Sequence, residues 1–455
     1  MFKKFLSLAI IVIVCLSMAI TMTGCPDNKS NTRDENTILL WAGGQWTGTD
    51  AENLEEFIDW YNKNNTQGLT IELEIVVDFE QTFAAAMNTN KGPDLMIWDR
   101  FNTPSYAYDE VLLPLDEYIS RDGIDASKFN STAYNEMNYK GVQYGLPLDL
   151  DMWGVYVNMN IVDAYNDQHP EDPITCFWNE DGSNRLDWTW DELLDTATKL
   201  KGINYTVAGS NVEVKSGFDG KDVNEFFYHN YVSTGKQFFV DGKTSVNNSY
   251  GEELLTYFHN LYNNTYTEGY VSEMAFVQGQ LAMYYRPTYF ISYLEKFAGN
   301  MNVRYMPQPR YPGEGGVNCG VLGGYGLAIP KPIHEKNRNE AWNAKVERCW
   351  DFIKDWVYNE QNMIKWSEIS STVPALKSTH THEVITGNKV LRDTVPFAET
   401  YTTRPSVPGW KDVQVNVFNS YVTSFCKGAN TAEARQKFLN TIEKQTDKLL
   451  SVYRK

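Results

Sequence analysis

Between Thr37 and Trp98 apolar runs and amphipathic stretches alternate in an order that leaves few folds open. Thr37 to Trp41 reads as a short strand ending in Gly43-Gly44. Thr49 and Glu52 form a capping box ahead of Leu54, Phe57, Ile58 and Tyr61, which share one helix face. Leu69, Ile71, Leu73, Ile75 and Val77 alternate with polar residues, the period of a strand. Phe83 to Met87 favours helix, Gly92-Pro93 punctuates, and Asp94 to Trp98 reads as a buried strand. Strand-helix-strand-helix-strand predicts a parallel α/β sheet, with ligands at the carboxyl ends of its strands. Trp41 to Trp46, Phe79 to Gln81 and Trp98 to Asp99 lie at such ends. Further on, Thr189 and Glu192 form a second capping box. Phe276 to Tyr285 and Trp342 to Asn359 predict helices, and Gly323 to Pro330 an isolated apolar strand. Asn430 and Glu433 predict the cap of a last helix reaching Leu450.

The first residues carry a different message. Lys3 and Lys4 precede an apolar run from Phe5 to Met22 that closes on Met22-Thr23-Gly24-Cys25. Small residues before a cysteine suit a lipoprotein signal peptidase, so residues 1–24 read as a signal peptide and Cys25 as the lipidated residue. An uncleaved anchor is the alternative that the length of the run permits. Residues 25–36 are polar enough for a flexible tether, and the rest of the chain then faces outward, extracellular or periplasmic.

At 455 residues the chain is too long for one ordinary core and predicts two lobes. The formal charge of −18 becomes −20 once Lys3 and Lys4 leave, and no basic footprint for nucleic acid is visible. Cys176, Cys319, Cys349 and Cys426 are far apart with no Cys-x-x-Cys, which leaves disulfides and free thiols equally open and excludes a metal-cluster motif. The 6 histidines give little material for zinc sites, and no cofactor motif is present. The 13 Trp, 28 Tyr and 22 Phe are first of all core, but Trp and Tyr also cover the apolar faces of pyranose rings while acids and amides take the hydroxyls.

Catalytic signatures fail on inspection. There is no phosphate-cradling glycine loop and no Gly-x-Ser-x-Gly elbow. His334-Glu335 begins a zinc-protease pattern, but Arg338 stands where the second histidine belongs. Asp149-x-Asp151-x-Trp153 imitates a calcium loop, yet Trp153 cannot ligate. Glu80, Asp99, Asp149 and Asp151 are the carboxylates from which a glycosidase pair could be drawn, so an exported glycoside-acting enzyme is one alternative and a surface carbohydrate adhesin another.

A set of ordered segments narrows this. They are Gly92-Pro93-Asp94-Leu95-Met96, Val111 to Tyr118, Tyr139 to Pro147 followed by Val155 to Asn158, Trp188 to Glu192, Phe276 to Met283, Gly323 to Ile329 and Thr372 to Ala375. In order and spacing they resemble the extracellular solute-binding proteins of carbohydrate ABC transporters, the family that includes maltose-binding protein. The resemblance implies an α/β, two-lobed periplasmic-binding-protein-like fold (class II) with three crossings between lobes and the ligand in the cleft. It places one lobe at residues 37–147 and 328–373 and the other at 148–327 and 374–455. It implies a monomeric, lipid-anchored binding protein that performs no chemistry and delivers an oligosaccharide to membrane permease subunits. Carried over residue by residue, the sugar contacts are Trp41, Gln45 and Trp46 after the first strand, Glu80 after the second, and Asp99 at the end of the third. Asp149, Asp151 and Trp153 follow the first crossing, and Arg286 and Tyr289 follow the Ala282-Met283 segment. Tyr325 stands where the family often has Trp, and Arg404 and Trp410 lie in the late loop.

Overall fold

The computed structural model describes residues 34–43, 49–89, 91–220, 226–267 and 272–454. The signal segment, Cys25, the tether up to Arg33, and Gln45 and Trp46 lie outside the described residues. Strand β1 (Thr37–Gly43), helix α1 (Thr49–Asn64), β2 (Thr70–Val76), α2 (Phe79–Thr89) and β3 (Leu95–Asp99) follow in the order the alternation predicts. β1 pairs in parallel with both β2 and β3. α1 buries Leu54, Phe57, Ile58 and Tyr61, the face its spacing marked out.

After a short helix, α3 (Ser131–Glu136), the chain reaches β4 (Leu146–Pro147) and then β5 (Asp149–Asn158). β5 is the spine of the second sheet. Against it or its partners lie β6 (Ser216–Asp219), β7 (Leu281–Pro287), helix α4 (Phe290–Ala298) and β8 (Val303–Pro307). Next come β9 (Val321–Gly323), β10 (Tyr325–Ala328), the helices α5 (Glu340–Val357) and α6 (Glu360–Ser370), β11 (Val373–Pro374), β12 (Thr402–Thr403) and the last helix, α7 (Ala432–Leu450). The first sheet runs β2-β1-β3-β10-β4, and the second β6-β7-β5-β9-β12, with β8 and β11 also on β5.

The chain changes sheet three times. Leu148 separates β4 from β5, and Gly324 separates β9, paired to Met152 and Asp151, from β10, paired to β3. The third change passes through Ser371, left-handed at φ 53°, into β11, which pairs with Leu150 and Asp149. All three therefore meet on the first residues of β5. One apolar core runs through this junction, from Leu40 and Leu146 by way of Leu148, Leu150 and Tyr156 to Leu281 and Phe290.

Four expectations are corrected. Phe276 to Tyr285 is not one helix. The helix Ser272–Val277 stops, Gly279 takes φ 74°, and β7 begins at Leu281. β7 is buried at every position but Arg286, so it lacks the alternation that marks a half-exposed strand. The last helix is capped by Thr431, whose hydroxyl accepts from the Ala434 amide, rather than by Asn430. Residues 325–327, expected in the second lobe, hydrogen-bond within the first sheet. The predicted strand over 323–330 is two strands broken at Gly324. The Thr189–Glu192 capping box forms as expected. Cys176, Cys319, Cys349 and Cys426 are free thiols. Among the described residues no helix is long and apolar enough to cross a membrane.

Candidate cleft site at the lobe crossings

A tight cavity of about 10 Å³, room for about one water, lies where the crossings meet. The start of α1 contributes Asp50 and Asn53, and the first crossing contributes Asp149 and Asp151. Three rings wall it: Tyr289 from the turn before α4, Tyr325 at the start of β10, and Trp366 from α6. Ser370 and Thr372 add hydroxyls from the third crossing. Both lobes and all three crossings thus touch one space.

The acids are held by backbone. Asp149 is 3 % exposed, and its Oδ1 accepts from the Tyr325 amide at 2.7 Å. Asp151 Oδ1 accepts from the Tyr289 amide at 2.9 Å and the Thr288 hydroxyl at 3.2 Å. Burial raises the pKa of Asp149 to about 6, against the pull of the Arg100 charge. Burial and the neighbouring Asp149 charge push Asp151 up to about 7. Asp50 also rises to about 7, from burial and from Asp151 opposite, while a hydrogen bond with Ser292 of the second lobe opposes the shift. At neutral pH this cavity presents hydrogen-bond acceptors and partly protonated carboxyls to whatever enters it.

Behind the acids a buried pair of arginines ties the hinge. Arg100 is 0 % exposed. Its guanidinium donates to the carbonyls of Asp149 and Tyr325, each at 2.7 Å, and to that of Gly323. Its Nε donates to Glu136 at 3.1 Å. Glu136 also accepts from Arg404 Nε at 3.0 Å, and Arg404 grips Asp99 with bonds of 2.9 and 2.5 Å. Gly324 sits in this crowd at φ 125°, and a Cβ there would stand 2.6 Å from Asp149 Oδ1 and 2.7 Å from Arg100 Nη1. Only glycine passes between the two groups.

Of the residues carried over from sequence, Asp149, Asp151, Tyr289 and Tyr325 line the cavity. The others do not. Trp41 is core under α2: its indole donates to Glu74 at 2.8 Å and its ring meets Phe79 edge-on. Trp410 is 1 % exposed among Tyr228, Phe238 and Phe418, because the late loop folds its ring into the second lobe. Trp153 stacks on Tyr285 and leans on His229. Arg286 pairs with Glu273 at 3.3 Å and lies over Tyr284. Asp99 and Arg404 are taken by one another, and Glu80 is held by Lys411 of the second lobe. Sequence reasoning missed Asp50, Asn53, Trp366, Ser370 and Thr372. The run Ser370-Ser371-Thr372, polar and directly before a crossing, was the signal available. Among the described residues no group of three or more His, Cys, Asp or Glu is arranged to hold a metal.

Comparison with known proteins places this geometry. The maltotriose-binding protein of Pyrococcus abyssi is 34 % identical over 85 residues, which span 19 % of this chain and only 18 % of that protein. An ABC substrate-binding protein of Listeria monocytogenes, solved in complex with cycloalternan, superposes with a TM-score of 0.71 at 18 % identity, covering 92 % of this chain and 100 % of that one. The sugar-binding protein MalE of Xanthomonas citri superposes with a TM-score of 0.68 at 16 % identity, covering 92 % and 98 %. These two share the two-lobed fold. The family described as bacterial extracellular solute-binding protein matches residues 56–391, most of the described body. The match and the shared cleft architecture lead to one assignment: the chain belongs to the bacterial extracellular solute-binding proteins.

Proposed function

We propose that this protein is the lipid-anchored, oligosaccharide-binding component of an ABC importer, which holds its sugar between the lobes and hands it to the permease. The observation that carries the reading is the cavity's composition. Tyr289 and Tyr325 offer ring faces for sugar CH patches, with Trp366 packed in the wall behind, and Asp149, Asp151, Asn53 and Thr372 offer partners for hydroxyls. Ion pairs link the two lobes across the cleft, Glu52 to Lys296 at 2.6 Å and Glu80 to Lys411, which is consistent with closure about the crossings. The names of the relatives point the same way, to maltotriose and cycloalternan. Lipidation at Cys25 rests on the residues that precede it.

One observation favours a second reading, a glycoside-acting enzyme: two neighbouring carboxyls with pKa values of about 6 and 7 sit where a general acid works. In the binding reading those carboxyls donate and accept hydrogen bonds and nothing more. Calorimetry against a panel of α- and β-linked gluco- and manno-oligosaccharides tests the first reading, followed by product analysis after a day with excess protein. Binding with intact sugar is expected. Cleavage that vanishes in Asp149→Asn or Asp151→Asn would replace the importer reading with the enzyme.

A further inference from the structure

We infer that the cleft continues beyond the cavity into an outer sugar subsite on the aromatic stripe of α4, which takes the rings of an oligosaccharide that the cavity cannot hold. The inference rests on the oligosaccharide reading above. Tyr289 lines the cavity as the residue that caps α4. Tyr293 and Phe297 follow it at intervals of four, so the three rings share one side of the helix. Each interval advances about 6 Å along the helix axis, on the order of one sugar ring. Tyr293 is half-buried, stacked on Phe290 at 5.2 Å between ring centroids, and Phe297 leans on Tyr293 at 4.6 Å. Burial falls along the stripe, and Phe297 is 55 % exposed.

The stripe starts at the cleft and turns along its second-lobe side, toward Met274. Ser292 and Lys296 of the same helix reach Asp50 and Glu52 of α1 in the first lobe, so α4 lies along the edge of the cleft. Beside the rings Met274, 44 % exposed, accepts from the Tyr293 hydroxyl through its sulfur at 3.4 Å, and widens the apolar surface. Phe297, Met274 and the outer part of Tyr293 make one apolar patch that is continuous with the cavity at Tyr289. Lys296 and Glu52 put a donor and acceptors at its edge, the mix of apolar face and polar rim that a pyranose needs. At about 10 Å³ the cavity is far smaller than a ligand pocket, so an oligosaccharide needs the lobes to part and extends beyond it, and the stripe continues outward from Tyr289.

The test is a length series. Maltose to maltohexaose and mannobiose to mannohexaose are titrated calorimetrically against the wild-type protein and the variants Tyr293→Ala, Phe297→Ala and Tyr325→Ala. Melting temperatures check that each variant is folded, and Phe297, being exposed, is safe to remove. The expected result is that wild-type affinity rises with chain length. Phe297→Ala and Tyr293→Ala should match wild type for the shortest sugar that binds and lose roughly 3- to 10-fold for the longer ones. Tyr325→Ala should weaken every length. Identical length dependence in wild type, Phe297→Ala and Tyr293→Ala overturns the outer subsite and leaves the cavity reading standing. Unchanged affinity with a loss of importer ATP hydrolysis also overturns it, and gives the stripe to the permease. Absence of binding in both series overturns the oligosaccharide reading itself.

Discussion

Tyr325 and Trp410 are both aromatic residues beside glycine, yet their surroundings give them opposite roles. Tyr325 faces the cavity, and its backbone is fixed by Asp149 and Arg100. Tyr325→Ala should therefore cost about 1–1.5 kcal/mol of ligand affinity, close to tenfold, with a small change in melting temperature. Trp410→Ala and Trp41→Ala empty packed sites, and should cost about 3–5 kcal/mol of stability while the folded fraction binds normally. Paired thermal melts and titrations separate the two outcomes. The carboxyls supply a second prediction. In the folded body burial pushes Asp50 and Asp151 up to about 7, above the ordinary value of 3.8. The folded state then binds more protons than the unfolded one between those limits, so their contribution to stability falls as pH rises from about 4 to 7. Melting temperature should drop across that window, and Asp151→Asn, which keeps an acceptor for the Tyr289 amide, should flatten the slope.

Among the elements, the crossings are both the most informative in sequence and the most constrained in structure. The alternation from Thr37 to Trp98 was legible because each helix shows one apolar face and β2 alternates. β7 was not, because a strand buried on both faces carries no period. Of the cavity's lining, Asp149, Asp151 and Tyr325 were legible, because a crossing carries them. It was illegible where a helix presents one residue to a tertiary space, as with Asp50 and Trp366, since periodicity alone assigns such residues to a cap or a core. Trp41 and Trp410 failed for the converse reason: position along the chain does not say which way a large ring turns. The hinge itself predicts a variant. Gly324→Ala would drive a Cβ against Asp149 and Arg100 in a backbone region that L side chains rarely adopt. It should lower the melting temperature and weaken ligand binding together. Arg100→Met should cost about 3–5 kcal/mol in urea unfolding, because Glu136 and three carbonyls lose a buried cation.

At the scale of the whole molecule the described body begins at Asp34, and Lys345 of α5 fastens that beginning by donating to the carbonyls of Asp34, Glu35 and Thr37. Cys25→Ala should release the protein from the membrane fraction without altering the melting temperature of the body, as fractionation and a thermal melt would show. Glu80→Gln, which breaks a half-exposed pair across the cleft, should change ligand affinity by less than about fivefold, since such pairs are worth about 0–1 kcal/mol. The free thiols have a practical consequence. Burial raises Cys176 and Cys319 to about 11, Cys426 to about 12 and Cys349 well above its ordinary value. Almost none is thiolate at neutral pH, and the thiolate is the form that maleimides capture. Glu52→Cys together with Lys296→Cys would then be the two positions open to dye among the described residues, one on each lip of the cleft. The protein is in this sense pre-blanked for optical reporting: a fluorophore pair placed there would register each sugar as a change in brightness.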